Sequence, residues 1–383
     1  MVTISYFSNY LNAHVLPIAL ELASMPDIDF RFVSLVPGEM NVGRSNLDDA
    51  YPFVLKSYSG CKERREAEAH ALNDDIAIFQ HMAGQEDFVK SRADAGKFFF
   101  RAGERILKRG DWWRFVPPKR WRTKDWYLRY KNANMRALCI GSLASRDLEL
   151  FGFPAHKCLR WGYFPSSVNP MFSCPKNSVS TSALTICSAQ RLIPWKHVEM
   201  QVQAAADLKS LGIPFSLTIA GDGECRSALE NLSAKLNLTD EVQFTGTLCQ
   251  EEMQRLMLSS DVFLATSDGN EGWGCTINEA MAAGCTVVAS DKMGSVGYLI
   301  SDNVNGLAFR SGDINDLVSK LKIACENPSK RRSMGKQAKE TVYGNWGSCC
   351  AAKRLVELSQ HMLAGNDFAF SDGPLSRCGD CNR

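Results

Sequence analysis

The stretch DVFLATSDGNEGWGCTINEAMAAGCTVVAS, residues 261–290, constrains this chain more than any other. Two strand-like runs, DVFLATS (261–267) and CTVVAS (285–290), flank a helix-length segment, the layout of a βαβ crossover between parallel strands. Glu271 and Glu279 stand eight positions apart, which on one continuous helix would set them roughly 80° apart and so present only one of them well. Gly272 and Gly274 suit instead a loop that carries Glu271. They predict a helix beginning near Cys275 or Thr276, with Glu279 about one turn inside. Such an entry points free backbone N–H groups and a positive dipole end at whatever lies in front of it, so it favours an anion, typically a phosphate. Ligands of open parallel sheets bind beyond the carboxyl ends of the strands, and this loop leaves one. The plain alternative is an acidic loop followed by a core helix.

The same alternation runs through the chain. VTISYF, FRFVSLV, DIAIFQ (75–80), KFFFR (97–101) and RALCIG (136–141) are short β-branched and aromatic runs separated by helix-length segments, and they predict a parallel, doubly wound α/β sheet. At 383 residues, 45% of them hydrophobic, the chain can fill two cores. PSSVNPMFSCPKNSVSTSA (165–183), rich in Pro, Ser and Asn, reads as the connection between them. A formal charge of +2 gives no reason to expect nucleic acid. The fourteen cysteines are scattered through strand and helix patterns, as reduced buried thiols of a cytosolic protein would be. CGDC (378–381) has metal or redox spacing but stands alone in a polar tail. Neither a signal-peptide pattern nor an apolar run of eighteen residues occurs, so export by that route and membrane spanning are not expected. Asp27-Ile28-Asp29 has the triplet form that holds divalent cations in metal-dependent transferases. It sits at the amino end of a strand, the wrong edge for the ligand, and reads as a turn; no metal is expected.

The second half adds three segments. LTICSAQRLIPWKH places Arg191 and Lys196 five apart across a turn that follows a strand. FSLTIAGDGE (215–224) ends in Gly221-Asp222-Gly223, whose glycines suit close backbone approach to a nucleotide. VQFTGTL (242–248) is another strand, ending in a turn at Gly246. Together with the Glu271–Glu279 stretch, these segments resemble the retaining glycosyltransferases of family 4, including those of bacterial polysaccharide and O-antigen assembly. The resemblance implies the GT-B fold: two Rossmann-like doubly wound domains facing each other across a cleft. It implies an acceptor-binding domain at 1–165, a nucleotide-sugar domain at 166–345 and a helix over 346–363 crossing back to the first domain; the tail at 364–383 reads by itself as disordered.

The resemblance also implies roles. Arg191 and Lys196 would stabilise the negative charge that grows on a departing diphosphate, more in the transition state than in the ground state. Glu279 would bind the ribose hydroxyls and Glu271 the donor sugar. The N–H groups of Gly274, Cys275 and Thr276 would meet phosphate and sugar oxygens, with Gly221, Asp222 and Gly246 against the nucleoside. Each acid would face hydroxyls while Arg191, Lys196 and the helix end face the phosphates. The donor would be a UDP- or GDP-sugar, with no cofactor and no metal, and the reaction a retaining hexosyl transfer.

In the first domain, Asn9, Asn12 and His14 occupy a turn that is glycine-rich in many family members; they suit donor or acceptor hydroxyls, and equally turn and capping duties. Where many members have a histidine after the fourth strand, this chain has Arg101, Glu104 and Arg105, similar to a bacterial Ser-Glu-Arg pattern with Gly103 in the serine position. Glu104 suits orienting or deprotonating an acceptor hydroxyl, or else an exposed helix start; His81 is a second candidate for the histidine. Residues 105–131 hold ten Lys or Arg, four Trp and two Asp. That mixture suits an anionic membrane surface, where each basic residue contributes roughly 1 kcal/mol, or a solvated helix with Trp turned inward, or single-stranded nucleic acid. The reading that results is a glycosyltransferase peripheral on the cytoplasmic face of a membrane, acting on a glycan or lipid-linked acceptor without nucleic acid. The alternatives are a sugar-nucleotide epimerase and a catalytically silent sugar-nucleotide-binding subunit.

Overall fold

The computed structural model describes residues 1–38, 47–82, 84–165 and 183–380. The expected connection at 165–183 and Cys381 fall almost entirely outside the described residues. The chain divides into two compact units, Met1–Ser167 with Asn345–Arg383, and Val168–Gly344.

The first unit is built on strands β1 (Val2–Ser8), β2 (Ile28–Ser34), β3 (Val54–Lys56), β4 (Ile76–Gln80), β5 (Phe99–Glu104), β6 (Met135–Ile140) and β7 (Cys158–Trp161). They pair in the order β3-β2-β1-β4-β5-β6-β7, all parallel. A parallel sheet is covered on both faces, and central β4 is accordingly buried along its whole length. Its core is aromatic: Phe79 packs tilted on Phe7 and edge-on to Phe99, with ring centroids 5.0 and 5.8 Å apart. Strand β3, three residues long, is too short to leave an alternating pattern. Asp27 and Asp29 lie at the amino end of β2, where Val2 N–H donates to the Asp27 carbonyl.

The second unit contains β8 (Leu184–Ala189), β9 (Phe215–Ala220), β10 (Val242–Gly246), β11 (Val262–Ala265), β12 (Thr286–Ser290) and β13 (Leu307–Phe309), ordered β10-β9-β8-β11-β12-β13 and again all parallel. Ile186, Leu217, Val262, Leu264 and Val288 lie at the centre of its core. In both units the strand order reverses once, between β1 and β4 and between β8 and β11. Crevices at the carboxyl ends of a doubly wound sheet open at such reversals. The loops that flank them are 9–15 and 81–86 in the first unit, and 190–197 and 266–274 in the second.

The helix Ser348–Leu363 belongs to the first unit. Ala351, Leu355, Leu358 and Met362 form its buried stripe at helical spacing, and Ser348 Oγ donates to Glu21 Oε1 at 2.9 Å, on the helix Leu16–Ser24. The expected disordered tail is corrected as far as residue 380. Leu375 is fully buried, Arg160 N–H donates to the Ser376 carbonyl, and Arg377 pairs antiparallel with Leu159 on the edge strand β7. The polar composition of 364–380 hid one buried leucine and an open sheet edge ready to pair. Among the described residues no helix is long and apolar enough to cross a membrane.

Candidate functional site

The loop after β8 ends in a single 3₁₀ turn, Pro194–Lys196, that turns Lys196 towards the loop after β11. Lys196 Nζ pairs with Glu271 Oε2, both side chains mostly buried. The same ammonium lies 4.4 Å from the centroid of the Trp195 ring, and the guanidinium of the exposed Arg191 lies 5.7 Å from it. Two cations thus share one indole, whose ring quadrupole attracts both. The two loops are stitched by main chain as well: Thr266 Oγ1 donates to the Lys196 carbonyl at 2.8 Å, and Asp268 N–H donates to the Trp195 carbonyl at 3.1 Å.

Glu271 precedes a helix over Cys275–Ala282, whose N-cap residue is Gly274 at φ +89° with no side-chain cap. A side chain there would be strained, and a Cβ would come within 2.7 Å of Met293. Trp273, buried, fixes the loop by donating from Nε1 to Asn278 Oδ1 at 2.8 Å. Glu279 lies one turn inside, as its spacing predicts. Burial alone pushes its carboxyl up to about 7.

Two features of this unit go beyond what the spacing announces. Lys196 and Glu271 pair with each other. The glycines of 221–223 serve the chain's own backbone, since a Cβ on Gly221 would lie 1.9 Å from the Gln190 carbonyl oxygen and one on Gly223 2.4 Å from that of Leu192. They let this turn dock under the Arg191 loop, where Leu192 N–H donates to the Asp222 carbonyl. Asp222 itself binds Gly223 N–H and Arg226. Gly246, at φ +75°, pairs with Gly221 beside it.

At the reversal of the first unit, Glu104 closes β5 as a strand residue rather than a helix start. Lys108 Nζ donates to its Oε2 at 2.8 Å and Tyr163 Oη to its Oε1 at 3.2 Å. Burial pushes this carboxyl up, but the charge and hydrogen bond of Lys108, with the charge of His81 and the Tyr163 hydroxyl, hold it below the ordinary glutamate range. His14 packs tilted against Tyr163 with ring centroids 5.3 Å apart. His14, His81 and Glu104 therefore gather in one place. Arg105 and Asn12 do not join them as free ligands. Arg105 is buried, its guanidinium held by Asp147 and the Leu107 carbonyl. Asn12 Oδ1 accepts the N–H groups of His14 and Val15 at the entry to the helix Leu16–Ser24. Tyr163, Lys108, Trp195, His197 and Asp268 are participants that sequence reasoning missed; each is an unremarkable residue on a loop, and only proximity singles it out.

In the basic-aromatic stretch Trp112 and Phe115 are 59% and 67% exposed. A groove of about 980 Å³ beside them is lined by Arg114, Lys124, Arg129 and Lys131 with Phe115 and Phe151. The side chains of 119–122 lie outside the described residues.

Residues 175–341 match the family model described as Glycosyl transferases group 1. Among curated proteins, the amylovoran biosynthesis glycosyltransferase AmsK of Erwinia amylovora is 29% identical over 62% of this chain and 58% of its own length. A 2-deoxystreptamine glucosyltransferase of Streptomyces kanamyceticus is 33% identical over 35% of this chain and 34% of its own. The chain spans about half the length, or less, of most of the curated relatives it matches. Among solved structures, HepE of Anabaena in complex with UDP aligns over 94% of this chain and 100% of its own with a TM-score of 0.71, at 15% identity. The two parallel sheets and this alignment agree on a GT-B fold, and residues 175–341, within the second unit, are the part similar to the glycosyl transferases group 1 model.

Proposed function

We propose that this protein transfers a hexosyl group from a UDP- or GDP-sugar to a glycan or lipid-linked acceptor, with retention of configuration and without a metal, as a family 4 enzyme peripheral on the cytoplasmic face of a membrane. The observation that carries the reading is the pairing of Lys196 with Glu271 beside Trp195 and Arg191, at the strand reversal and in front of an uncapped helix start. An incoming diphosphate takes Lys196 from Glu271. The carboxylate thereby freed accepts hydrogen bonds from the donor sugar, and the Glu279 carboxyl receives the ribose hydroxyls. As the glycosyl bond breaks, Arg191, Lys196 and the N–H groups of Gly274, Cys275 and Thr276 stabilise the charge that collects on the leaving phosphate. Glu104, held ionised and therefore a weak base, orients the acceptor hydroxyl. The departing phosphate, on the same face of the sugar, takes the acceptor proton. The amylovoran relative and the UDP complex of HepE support a glycan product and a nucleotide donor.

The test is calorimetric titration with UDP and GDP in EDTA, beside an Arg191→Ala, Lys196→Ala double variant, followed by turnover of labelled UDP- and GDP-sugars with membrane extract. Binding by the wild type that the variant loses, and transfer reduced about 100-fold or more by Lys196→Ala, are expected. A new sugar isomer formed without acceptor would make it an epimerase. Donor binding without turnover would make it a silent subunit, and no binding of either nucleotide would end the donor reading.

A further inference from the structure

His197 directly follows Lys196 and is one of five described non-glycine residues in the left-handed region, at φ 50° and ψ 44°. His197 is the N-cap residue of the helix Val198–Ser210, without a side-chain cap bond, and its ring bridges the first turn of that helix and the loop after β11. Nδ1 lies 2.9 Å from Glu199 Oε1 on that helix, and Nε2 lies 3.3 Å from Asp268 Oδ2 on the loop after β11. Ionised carboxylates only accept hydrogen bonds. Both ring nitrogens must therefore donate, which only the imidazolium does. Asp268 is fixed in turn: its Oδ1 accepts Asn270 N–H at 2.8 Å, its N–H donates to the Trp195 carbonyl, and its carbonyl accepts Glu271 N–H at 3.1 Å. The contact thus joins the residue after Lys196 to the turn that sets Glu271.

We propose that protonated His197 is a positioning residue that locks the Lys196 loop to the Glu271 loop, so that losing its proton loosens both and weakens donor binding. The charged groups that face it are Glu199 on its own helix and Asp268 on the facing loop, while its chain neighbour Lys196 pairs with Glu271. Burial lowers the affinity of the ring for its proton, but the two carboxylates outweigh it and hold the proton above the ordinary histidine range. The lock is therefore complete below the unfolded value and is lost as pH rises through the raised folded one. The effect on donor binding rests on the proposed function; the lock itself does not.

The test uses the full chain. Its six histidines permit side-chain nitrogen NMR, with His197 assigned from His197→Gln. His197 should titrate above the ordinary value of about 6.5 and fall in Asp268→Asn. Hydrogen exchange should quicken about tenfold in segments 190–197 and 266–274 when the lock is removed, by His197→Gln or by high pH, as the loss of one charge-assisted hydrogen bond gives. His197→Gly relieves the backbone strain without restoring the charge, so it should behave like His197→Gln, and both should lose the fall in UDP affinity at high pH. A His197 that titrates at or below the ordinary value of about 6.5, or wild-type protection in His197→Gly, overturns the lock. If the wild type binds neither UDP nor GDP while exchange still follows His197, the donor reading fails and the lock stands.

Discussion

Glu279 carries a carboxyl that burial has raised to about 7, in a helix turn where ribose hydroxyls are proposed to donate to it. Hydroxyl donors stabilise the carboxylate, so nucleotide binding should expel a proton from Glu279 near neutrality. Calorimetry in two buffers of different ionisation enthalpy should show that release in the wild type and not in Glu279→Gln; equal release in both would remove Glu279 from the site. For the free protein the sign is opposite. A raised folded value means that the native state holds the proton more tightly, so this group's contribution to stability is present at low pH and fades as pH climbs through about 7. Gly221 makes a separate prediction. With φ at +135° and the Gln190 carbonyl where a Cβ would sit, Gly221→Ala should lower stability by about 2–3 kcal/mol, measured by urea unfolding. It should weaken UDP binding as well, because the turn it would displace supports the loop of Arg191.

At the scale of elements, the two site loops are short because the strands they leave are neighbours across the sheet's reversal. Pairing of β8 with β11 brings Arg191 and Lys196 to within reach of Glu271, some 75 residues further along the chain. The tail is the other element with a structural duty. Leu375, itself at φ +65°, fills a buried position beside the edge strand β7, and Leu375→Ala should cost about 2–4 kcal/mol. Because Leu375 belongs to the first unit, calorimetric scanning should show the loss in that unit while UDP binding, proposed for the second, is kept. Loss of UDP binding together with the first unit would show the two to be energetically inseparable.

At the scale of the whole molecule, each unit has its own apolar core. The first unit also exposes Trp112 and Phe115 beside Arg114, Lys124, Arg129 and Lys131, which suits an anionic bilayer: rings at headgroup depth, cations over the lipid charge. Sedimentation with vesicles containing phosphatidylglycerol should carry the protein down at low salt, and vesicles of phosphatidylcholine should not. Trp112→Ala with Phe115→Ala should reduce binding about tenfold or more, since two aromatic side chains leave the interface. Binding indifferent to lipid charge would sink this reading. Much of the architecture was legible in residue order. Buried parallel strands are written as short apolar runs, and the glycines around Glu271 separate loop from helix, because backbone geometry acts over a few residues. The start of the helix at Cys275 and the position of Glu279 followed from that local rule. What the sequence by itself left open depends on distance through space. Arg105 and Asn12 looked available until Asp147 and a helix entry claimed them; Glu104 and Tyr163, 59 residues apart, share a hydrogen bond that no spacing announces. The same holds for the lock of His197 on Asp268 and for the buried place of Leu375. Local propensity set the elements, while tertiary packing chose which polar groups meet, since a hydrogen bond or ion pair depends on a few ångströms that only the folded sheet brings about.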